Sequence, residues 1–254
     1  MQATQRKNII MQELQENDSV DVISLSRQLD TSKVTIRKDL DELAEKGLVV
    51  RTHGGAVLAE KQNLVRLISN TITERTEEKK AICTHALRHI EPGKSIIIDS
   101  GSTTVHLAPL IAKINLSVIT NSILVIQELA AADAVELLIV GGMLRRPSLA
   151  AIGSPARAYL NQIHVDTLFL GASGFSLEEG ITCTNLIEAD TKQAMIASAT
   201  KVCLLADSSK FENISLARVC NWADIDVLIT DAGLPDEGKL ALESQGVRVE
   251  IARS

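Results

Sequence analysis

The hexapeptide Asp99-Ser100-Gly101-Ser102-Thr103-Thr104 combines hydroxyls, a glycine and a carboxylate between an apolar run and a helical pattern. Free backbone amides at such a strand-to-helix junction attract anions, phosphate above all. An ordinary turn could have the same composition, so the residues alone leave both readings open. It is not a Walker loop, because Gly93-Lys94-Ser95 has no upstream glycine and precedes a strand, and no GxGxxG fingerprint is present. A second set of chemistry-bearing residues lies near the N-terminus: Thr31, Ser32 and Thr35 supply hydroxyls, and Lys33, Arg37 and Lys38 supply cations. Hydroxyls and lysines suit backbone phosphates, whereas the planar fork of Arg37 suits a guanine edge. Arg51 and His53 occupy a following turn from which they could reach a flanking phosphate or the minor groove. A packing or dimerisation module with solvated charges is the alternative, and residues 1–57, with 8 Lys+Arg against 9 Asp+Glu, do not decide it.

Other groupings point to structure rather than chemistry. His85 and His89 stand at i, i+4 with Cys83 nearby, but no glutamate accompanies them and Ile82 and Ala86 share their face, so a partly buried structural pair is expected rather than a metal site. Glu188 and Lys192, also at i, i+4, read equally as a surface ion pair or as ligand contacts. Arg145 and Arg146 could meet an anion or only water. No serine or cysteine nucleophile has a histidine partner in a local motif. No metal or cofactor is expected.

The elements that must position these residues follow from periodicity. Ile9, Ile10 and Leu14, then Val22, Leu25 and Leu29, then Ile36, Leu40 and Leu43 recur at three- and four-residue steps and predict three short amphipathic helices. Asp21 and Ser32 are the expected N-caps of the second and third, and Gly47 the C-cap of the third. Leu48-Val49-Val50, the Arg51–Gly55 turn and Ala56-Val57 add a hairpin, so residues 1–57 read as a winged helix-turn-helix. The third helix is cationic in its first half and acidic in its second, as expected when only its N-terminal turns enter a major groove. Residues 58–76 read as a linker. From residue 77 to 254, helical stretches alternate with β-rich runs at Ser95–Asp99, Leu116–Thr120, Val135–Val140, Val165–Gly171, Val202–Ala206, Val227–Thr230 and Val247–Ile251. Such alternation predicts an α/β domain with a mostly parallel sheet covered on both faces, and ligands beyond the carboxyl ends of its strands.

Composition removes whole classes of function. A formal charge of −6 over 254 residues excludes coating of nucleic acid by bulk positive charge, so any DNA contact must be a local patch. Aromatic residues at 2% are too few for a single-strand stacking platform. The apolar runs are strand-length, the N-terminus lacks a signal-peptide core, and the four cysteines occur singly, all of which predict a protein of the reducing cytoplasm that does not contact membranes.

Thr31-Ser32-Lys33-Val34-Thr35-Ile36-Arg37-Lys38-Asp39-Leu40, then Gly47, then Arg51-Thr52-His53-Gly54-Gly55-Ala56 resembles the helix-turn-helix of the DeoR family of bacterial transcription regulators, with its V-S-x-x-T-I-R-R-D-L and R-x-x-G-G-A patterns. Lys38 replaces the usual second arginine, keeping charge without bidentate geometry, so a phosphate contact is expected of it. Asp30-Thr31 replaces a common Gly-Val turn. The resemblance continues through Asp99 to Thr104, Thr120-Asn121-Ser122, Gly141-Gly142 with Arg145, Asp207-Ser208-Ser209-Lys210-Phe211 and Thr230-Asp231, and so covers nearly the whole chain. It implies a repressor of carbohydrate uptake or catabolism genes whose second domain binds a phosphorylated sugar. It also implies a homo-oligomer, dimer or tetramer, on double-stranded operator DNA. The phosphate would lie on Ser100, Gly101, Ser102, Thr103 and Thr104 with Lys210 as cation. Asp99, Thr120, Asn121, Ser122, Gly141, Gly142, Arg145 and Glu188 would complete the effector site.

The same domain resembles ribose-5-phosphate isomerases, which makes an isomerase-like enzyme the alternative. Those enzymes carry a G-A-D-E segment where this chain has Gly171-Ala172-Ser173-Gly174, and Glu188 falls about one helical turn before the place expected for their base. A non-enzymatic regulator is therefore the expectation.

Overall fold

A computed structural model describes residues 3–17, 19–45, 48–52, 54–58 and 68–253. The chain divides into two compact units, Met1–Arg66 and Leu67–Ser254.

In the first unit, helices α1 (Ala3–Asn17), α2 (Val22–Gln28) and α3 (Lys33–Glu45) are joined by strands β1 (Ser19–Asp21), β2 (Val49–Arg51) and β3 (Gly55–Leu58). The strands form an antiparallel sheet in the order β1-β3-β2. The apolar stripes expected from the sequence meet in one core of Ile10, Leu14, Val22, Leu25, Ile36, Leu40, Leu43, Val49 and Ala56. Asp21 caps α2 by accepting from the amides of Ile23 and Ser24 at 2.8 and 3.0 Å. Ser32 Oγ accepts the Thr35 amide at 3.2 Å in the same way. Gly55 is obligatory, because a Cβ there would lie 1.7 Å from the Val20 carbonyl oxygen across the β1–β3 pair. The wing is therefore anchored by a third strand, β1, too short for its alternation to be read. Gly47 lies outside the described residues.

The second unit continues with α4 (Ile68–Thr71), α5 (Thr76–Ala86), β4 (Ser95–Ile98), α6 (Ala108–Ile111), β5 (Leu116–Thr120), α7 (Ile123–Leu129), β6 (Val135–Ile139), β7 (Met143–Arg145), β8 (Ala150–Ile152), α8 (Ser154–Leu160), β9 (Val165–Gly171), β10 (Gly174–Ser176), β11 (Gly180–Cys183), α9 (Leu186–Ala197), β12 (Ala199–Leu205), β13 (Ala217–Cys220), β14 (Val227–Asp231), α10 (Asp236–Ser244) and β15 (Arg248–Ala252). All seven expected strands form one sheet in the order β15-β14-β12-β9-β4-β5-β6, and every pairing in it is parallel. Alternate residues of each strand enter opposite cores: Ile97, Leu168, Leu170 and Leu204 face one, while Ile96, Ile98, Phe169, Cys203 and Leu205 face the other with Ile82, Cys83 and Ala86 of α5. Burial on both faces is why these strands read as unbroken apolar runs.

The strand order reverses between β4 and β9: the chain builds β5 and β6 to one side of β4, then β9, β12, β14 and β15 to the other. The carboxyl ends of the strands at such a reversal splay apart and leave a crevice, which is where ligands bind in open α/β sheets. Asp99 directly follows β4 and Gly171 ends β9, so the hexapeptide lies at that crevice.

Candidate functional site

In the first unit, the residues expected at DNA gather at the start of α3. Lys33, Arg37 and Lys38 are exposed, as is Ser32, and Val34 stands 75% exposed among them. Ser32 and Thr35 share a hydroxyl contact of 2.9 Å. The turn from α2 is closed by the Thr31 amide donating to Ser26 O at 3.1 Å and by Ser26 Oγ donating to Thr31 O at 2.6 Å. Thr31 Oγ1 donates to Leu29 O at 3.0 Å, so this hydroxyl holds the turn. Asp30 adopts φ 44°, a left-handed conformation that glycine enters freely and aspartate tolerates better than most residues. That accounts for Asp30 standing where glycine is common.

Two features of α3 escape sequence patterning. Asp39 is buried and pairs with Arg6 of α1, one oxygen meeting Nη2 at 3.0 Å and the other meeting Nε. Lys7 pairs with Glu42. The acidic half of α3 thus bolts the helix to α1 and leaves the cationic half outward. Arg51, expected at DNA, meets Asp41 Oδ1 through Nε at 3.1 Å and is only 30% exposed at its side chain. His53 lies outside the described residues.

In the second unit, the hexapeptide is a worked site. Asp99 is fully buried, accepts the Gly171 amide on Oδ2 at 2.9 Å, and on the same oxygen contacts the Lys192 ammonium. Lys192, from α9, also donates to Gly171 O at 3.1 Å, so one lysine ties the two strand ends of the crevice together. The Ser100 amide donates to Asn121 Oδ1 at 3.1 Å, and Asn121 Nδ2 donates to Ala151 O at 3.1 Å. Thr104 Oγ1 donates to Asp99 O at 2.6 Å and Thr120 Oγ1 to Ile98 O at 2.6 Å; these two hydroxyls shape the loop. Ser122 caps α7 by accepting the Val125 amide at 3.4 Å. Arg145 on β7 reaches Glu188 Oε2 through Nε at 3.3 Å and Thr184 Oγ1 through Nη2 at 3.3 Å.

Glu188 and Lys192 are buried, 7% and 3% exposed, so their i, i+4 spacing is not a surface pair. Burial drives the Glu188 carboxyl above its ordinary range, with the adjacent Lys192 and Arg145 charges opposing it. Burial alone would lower the Lys192 ammonium, but the Asp99 and Glu188 carboxylates outweigh it and hold the amine above the usual lysine range. Within this satisfied network, Asp99 Oδ1 and Ser100 Oγ are buried without partners. Buried polar atoms are rarely left so.

The remaining expected residues separate. Thr103 and Thr104 are buried and Gly101 and Ser102 half-buried, but the segment enters a 3-10 turn, Thr104–Leu107, before α6. The loop therefore offers its amides with a weaker helix dipole than a full α-helix would give. Gly142 has a packing role: at φ 152°, a Cβ would approach Ile152 O to 2.7 Å, so only glycine lets β7 close on β8. Gly141 is exposed beside it. Lys210 is half-buried, its amide donating to Asp207 O at 3.0 Å. The cation that meets the neighbouring carboxylates is Arg75, whose Nη2 lies 2.9 Å from Asp231 Oδ2. Burial would raise the Asp231 carboxyl, yet the Ser208 amide and hydroxyl, the Gly233 amide and Arg75 hold it below the ordinary range. Lys192 was read from its spacing to Glu188 as either a surface ion pair or a ligand contact, and its pairing with Asp99 and Gly171 had no sequence signal.

Residues 6–62 match the DeoR-like helix-turn-helix domain, and residues 74–232 match the DeoR C terminal sensor domain. The HTH-type transcriptional regulator GlpR of Haloferax volcanii is 35% identical over 98% of this chain and 98% of its own. The L-fucose operon activator of Haemophilus influenzae is 31% identical over 91% and 93%, and the glycerol-3-phosphate regulon repressor of Escherichia coli K12 is 30% identical over 99% and 100%. Among solved structures, ribose 5-phosphate isomerase A of Methanocaldococcus jannaschii is similar with a TM-score of 0.41 at 15% identity, over 54% of this chain and 55% of that one. Both units carry their own family match and relatives align end to end, so the chain belongs to the DeoR family of transcription regulators.

Proposed function

We propose that this regulator is a cytoplasmic, oligomeric repressor of carbohydrate uptake or catabolism genes, released from double-stranded operator DNA when a phosphorylated sugar binds the second unit. The observation that carries the effector reading is the pair of orphaned buried atoms, Asp99 Oδ1 and Ser100 Oγ, at the strand-order reversal. In this reading Gly101, Ser102 and Thr103 offer amides and hydroxyls to the phosphate, while the Asp99 and Glu188 carboxylates accept from sugar hydroxyls. Asn121 and Arg145 orient them, and Lys192 holds Asp99 in place through its ion pair. Sugars present several hydroxyl donors, and buried carboxylates are the strongest acceptors for them. Thr120, Ser122, Gly141 and Gly142 shape the walls, and Lys210 supplies a further cation at the mouth.

On the DNA side, Ser32, Lys33, Thr35 and Lys38 hold phosphates and Arg37 reads a base. Thr31 supports the turn, and Arg51, released from Asp41, and His53 contact the flank. Coupling is linkage: an effector that prefers the DNA-incompetent state loses affinity on operator DNA by the factor by which it weakens DNA binding. Repeated half-sites would be matched by a symmetric oligomer.

The test is fluorescence anisotropy on DNA upstream of its own gene and of neighbouring sugar operons, at fixed salt, with a sugar-phosphate panel. Specific binding released by one compound is the expected result. No sequence-specific binding under any condition overturns the reading. Arg37→Ala should cost about 1–3 kcal/mol, or roughly 5- to 150-fold, in operator affinity with effector binding and melting temperature unchanged. Loss of both activities would make Arg37 structural. Lys210→Ala should leave DNA binding intact and blunt the sugar-phosphate response; an unchanged response removes Lys210 from the site.

A further inference from the structure

At the amino ends of the strands, the second unit has another polar cleft of about 410 Å³, lined by His85, Arg88, His89, Lys201, Arg248 and Glu250. His85 lies on the last turn of α5 and Arg88 and His89 on the 3-10 turn that follows it. Lys201 is near the start of β12, and Arg248 opens β15. The strands are parallel, so this cleft and the Ser100–Thr104 loop occupy opposite edges of the sheet, separated by a strand length of roughly 16 Å.

The hydrogen bonds decide what the cleft can hold. His85 Nε2 and His89 Nε2 both meet Glu250 Oε2, at 2.9 and 3.0 Å. Lys201 Nζ lies 2.9 Å from His89 Nδ1. An ammonium only donates, so Nδ1 accepts, and the ring proton sits on Nε2 and is donated to Glu250. Both nitrogens of His89 are then committed, which leaves no lone pair for a metal ion despite the i, i+4 pair and its carboxylate. A glutamate does accompany the two histidines, but from β15, far along the chain. Glu250 also meets Arg248 Nε at 2.8 Å and is 10% exposed at its side chain. Desolvation would raise the Glu250 carboxyl, but His89, His85 and Arg248 keep it below the ordinary range. The nearby Asp226 accepts the Val202 amide at 2.7 Å. Three permanent cations, Arg88, Lys201 and Arg248, therefore face one carboxylate that is already engaged, and among the described residues Arg88 has no ion-pair partner.

We propose that this cleft is a second anion site, distinct from the effector loop, that takes a phosphate group, either free or on a small ester. Two guanidinium forks and an ammonium match the geometry and charge of a phosphate dianion.

The experiment is a titration of the full-length protein with inorganic phosphate and, separately, methyl phosphate, at constant pH and ionic strength with chloride as control. It is followed in imidazole proton–carbon spectra. The chain has five histidines, and His85 and His89 report the cleft. His106, two residues beyond Thr104 with its Nε2 buried and unpartnered, reports the effector loop in the same spectrum. Saturable shifts of the His85 and His89 signals are expected, weakened by about tenfold in Arg248→Gln and in Arg88→Gln, each the loss of one charge-assisted contact. The His106 response should be the same in both variants. Arg248 is 74% exposed at its side chain, so its replacement leaves the fold intact. The stronger of the two ligands tells free phosphate from ester. Shifts confined to His106, shifts of His85 and His89 that never saturate, or undiminished affinity in both variants overturn the proposal.

Discussion

Lys192→Met is expected to abolish the sugar-phosphate response and to destabilise the second unit by about 3–5 kcal/mol at neutral pH, the usual cost of removing one partner of a buried ion pair. Asp99 is fully buried, and without the ammonium its charge would keep only the Gly171 amide at 2.9 Å. A buried carboxylate so placed takes up a proton instead, and a protonated Asp99 no longer accepts from a sugar hydroxyl as strongly. The pH dependence follows from the raised Lys192 ammonium. A group whose folded pKa lies above its unfolded value contributes stability that is complete below the ordinary lysine range and is lost as pH rises through the folded value. The wild type should therefore lose stability in alkali more steeply than Lys192→Met, in thermal melts from pH 7 upward. Lys192→Met/Asp99→Asn should recover much of the neutral-pH loss, because neither member is then left charged, while the effector response stays absent. An undiminished response in the single variant removes Lys192 from the site, and equal alkaline slopes remove the ion pair as the source of stability.

The same lysine shows where sequence reading ran out. Parallel strands buried on both faces are written as apolar runs, so Ile96-Ile97-Ile98 and Val165–Gly171 declared the sheet, and the hexapeptide after the first run declared the crevice. The i, i+4 spacing of Glu188 and Lys192 was equally visible, yet spacing along one helix says nothing about what packs against it. Only the sheet order, which sets β9 beside β4, brings Lys192 to a carboxylate 93 residues away. His85 and His89 form the partly buried structural pair their spacing suggested, but their glutamate was illegible for the same reason: it comes from β15, 161 residues beyond His89. Short antiparallel pieces were missed on different grounds. β7 pairs with β8, and β10, β11 and β13 form a small separate sheet; at three or four residues each they are too short for an alternation to emerge, and tertiary context determines them. Arg51 was legible as an exposed cation and not as the partner of Asp41, since that pairing depends on how the wing folds back on α3.

Leu40→Ala should abolish operator binding while leaving sugar-phosphate binding intact. Leu40 is fully buried on α3 in the first unit's core, next in sequence to the Asp39 that pairs with Arg6, and truncating a core leucine costs about 2–5 kcal/mol through lost transfer energy and the cavity left behind. A unit the size of Met1–Arg66 has a total stability of roughly 3–10 kcal/mol at the usual 0.05–0.15 kcal/mol per residue, so the loss is a large share of it. The second unit has its own two cores and shares none of the cavity. Calorimetry should accordingly show one transition moved to lower temperature or lost and the other unmoved, with the sugar-phosphate-induced rise of the second preserved. Leu40→Met, which conserves volume, should cost less than about 1.5 kcal/mol and keep DNA binding. The comparison with Arg37→Ala is the decisive one, because that variant loses the operator with its melting profile unchanged. If Leu40→Ala instead lowers both transitions together and weakens sugar-phosphate binding, the two units fold as one cooperative body, and loss of DNA binding in any α3 variant could no longer be assigned to the recognition surface alone.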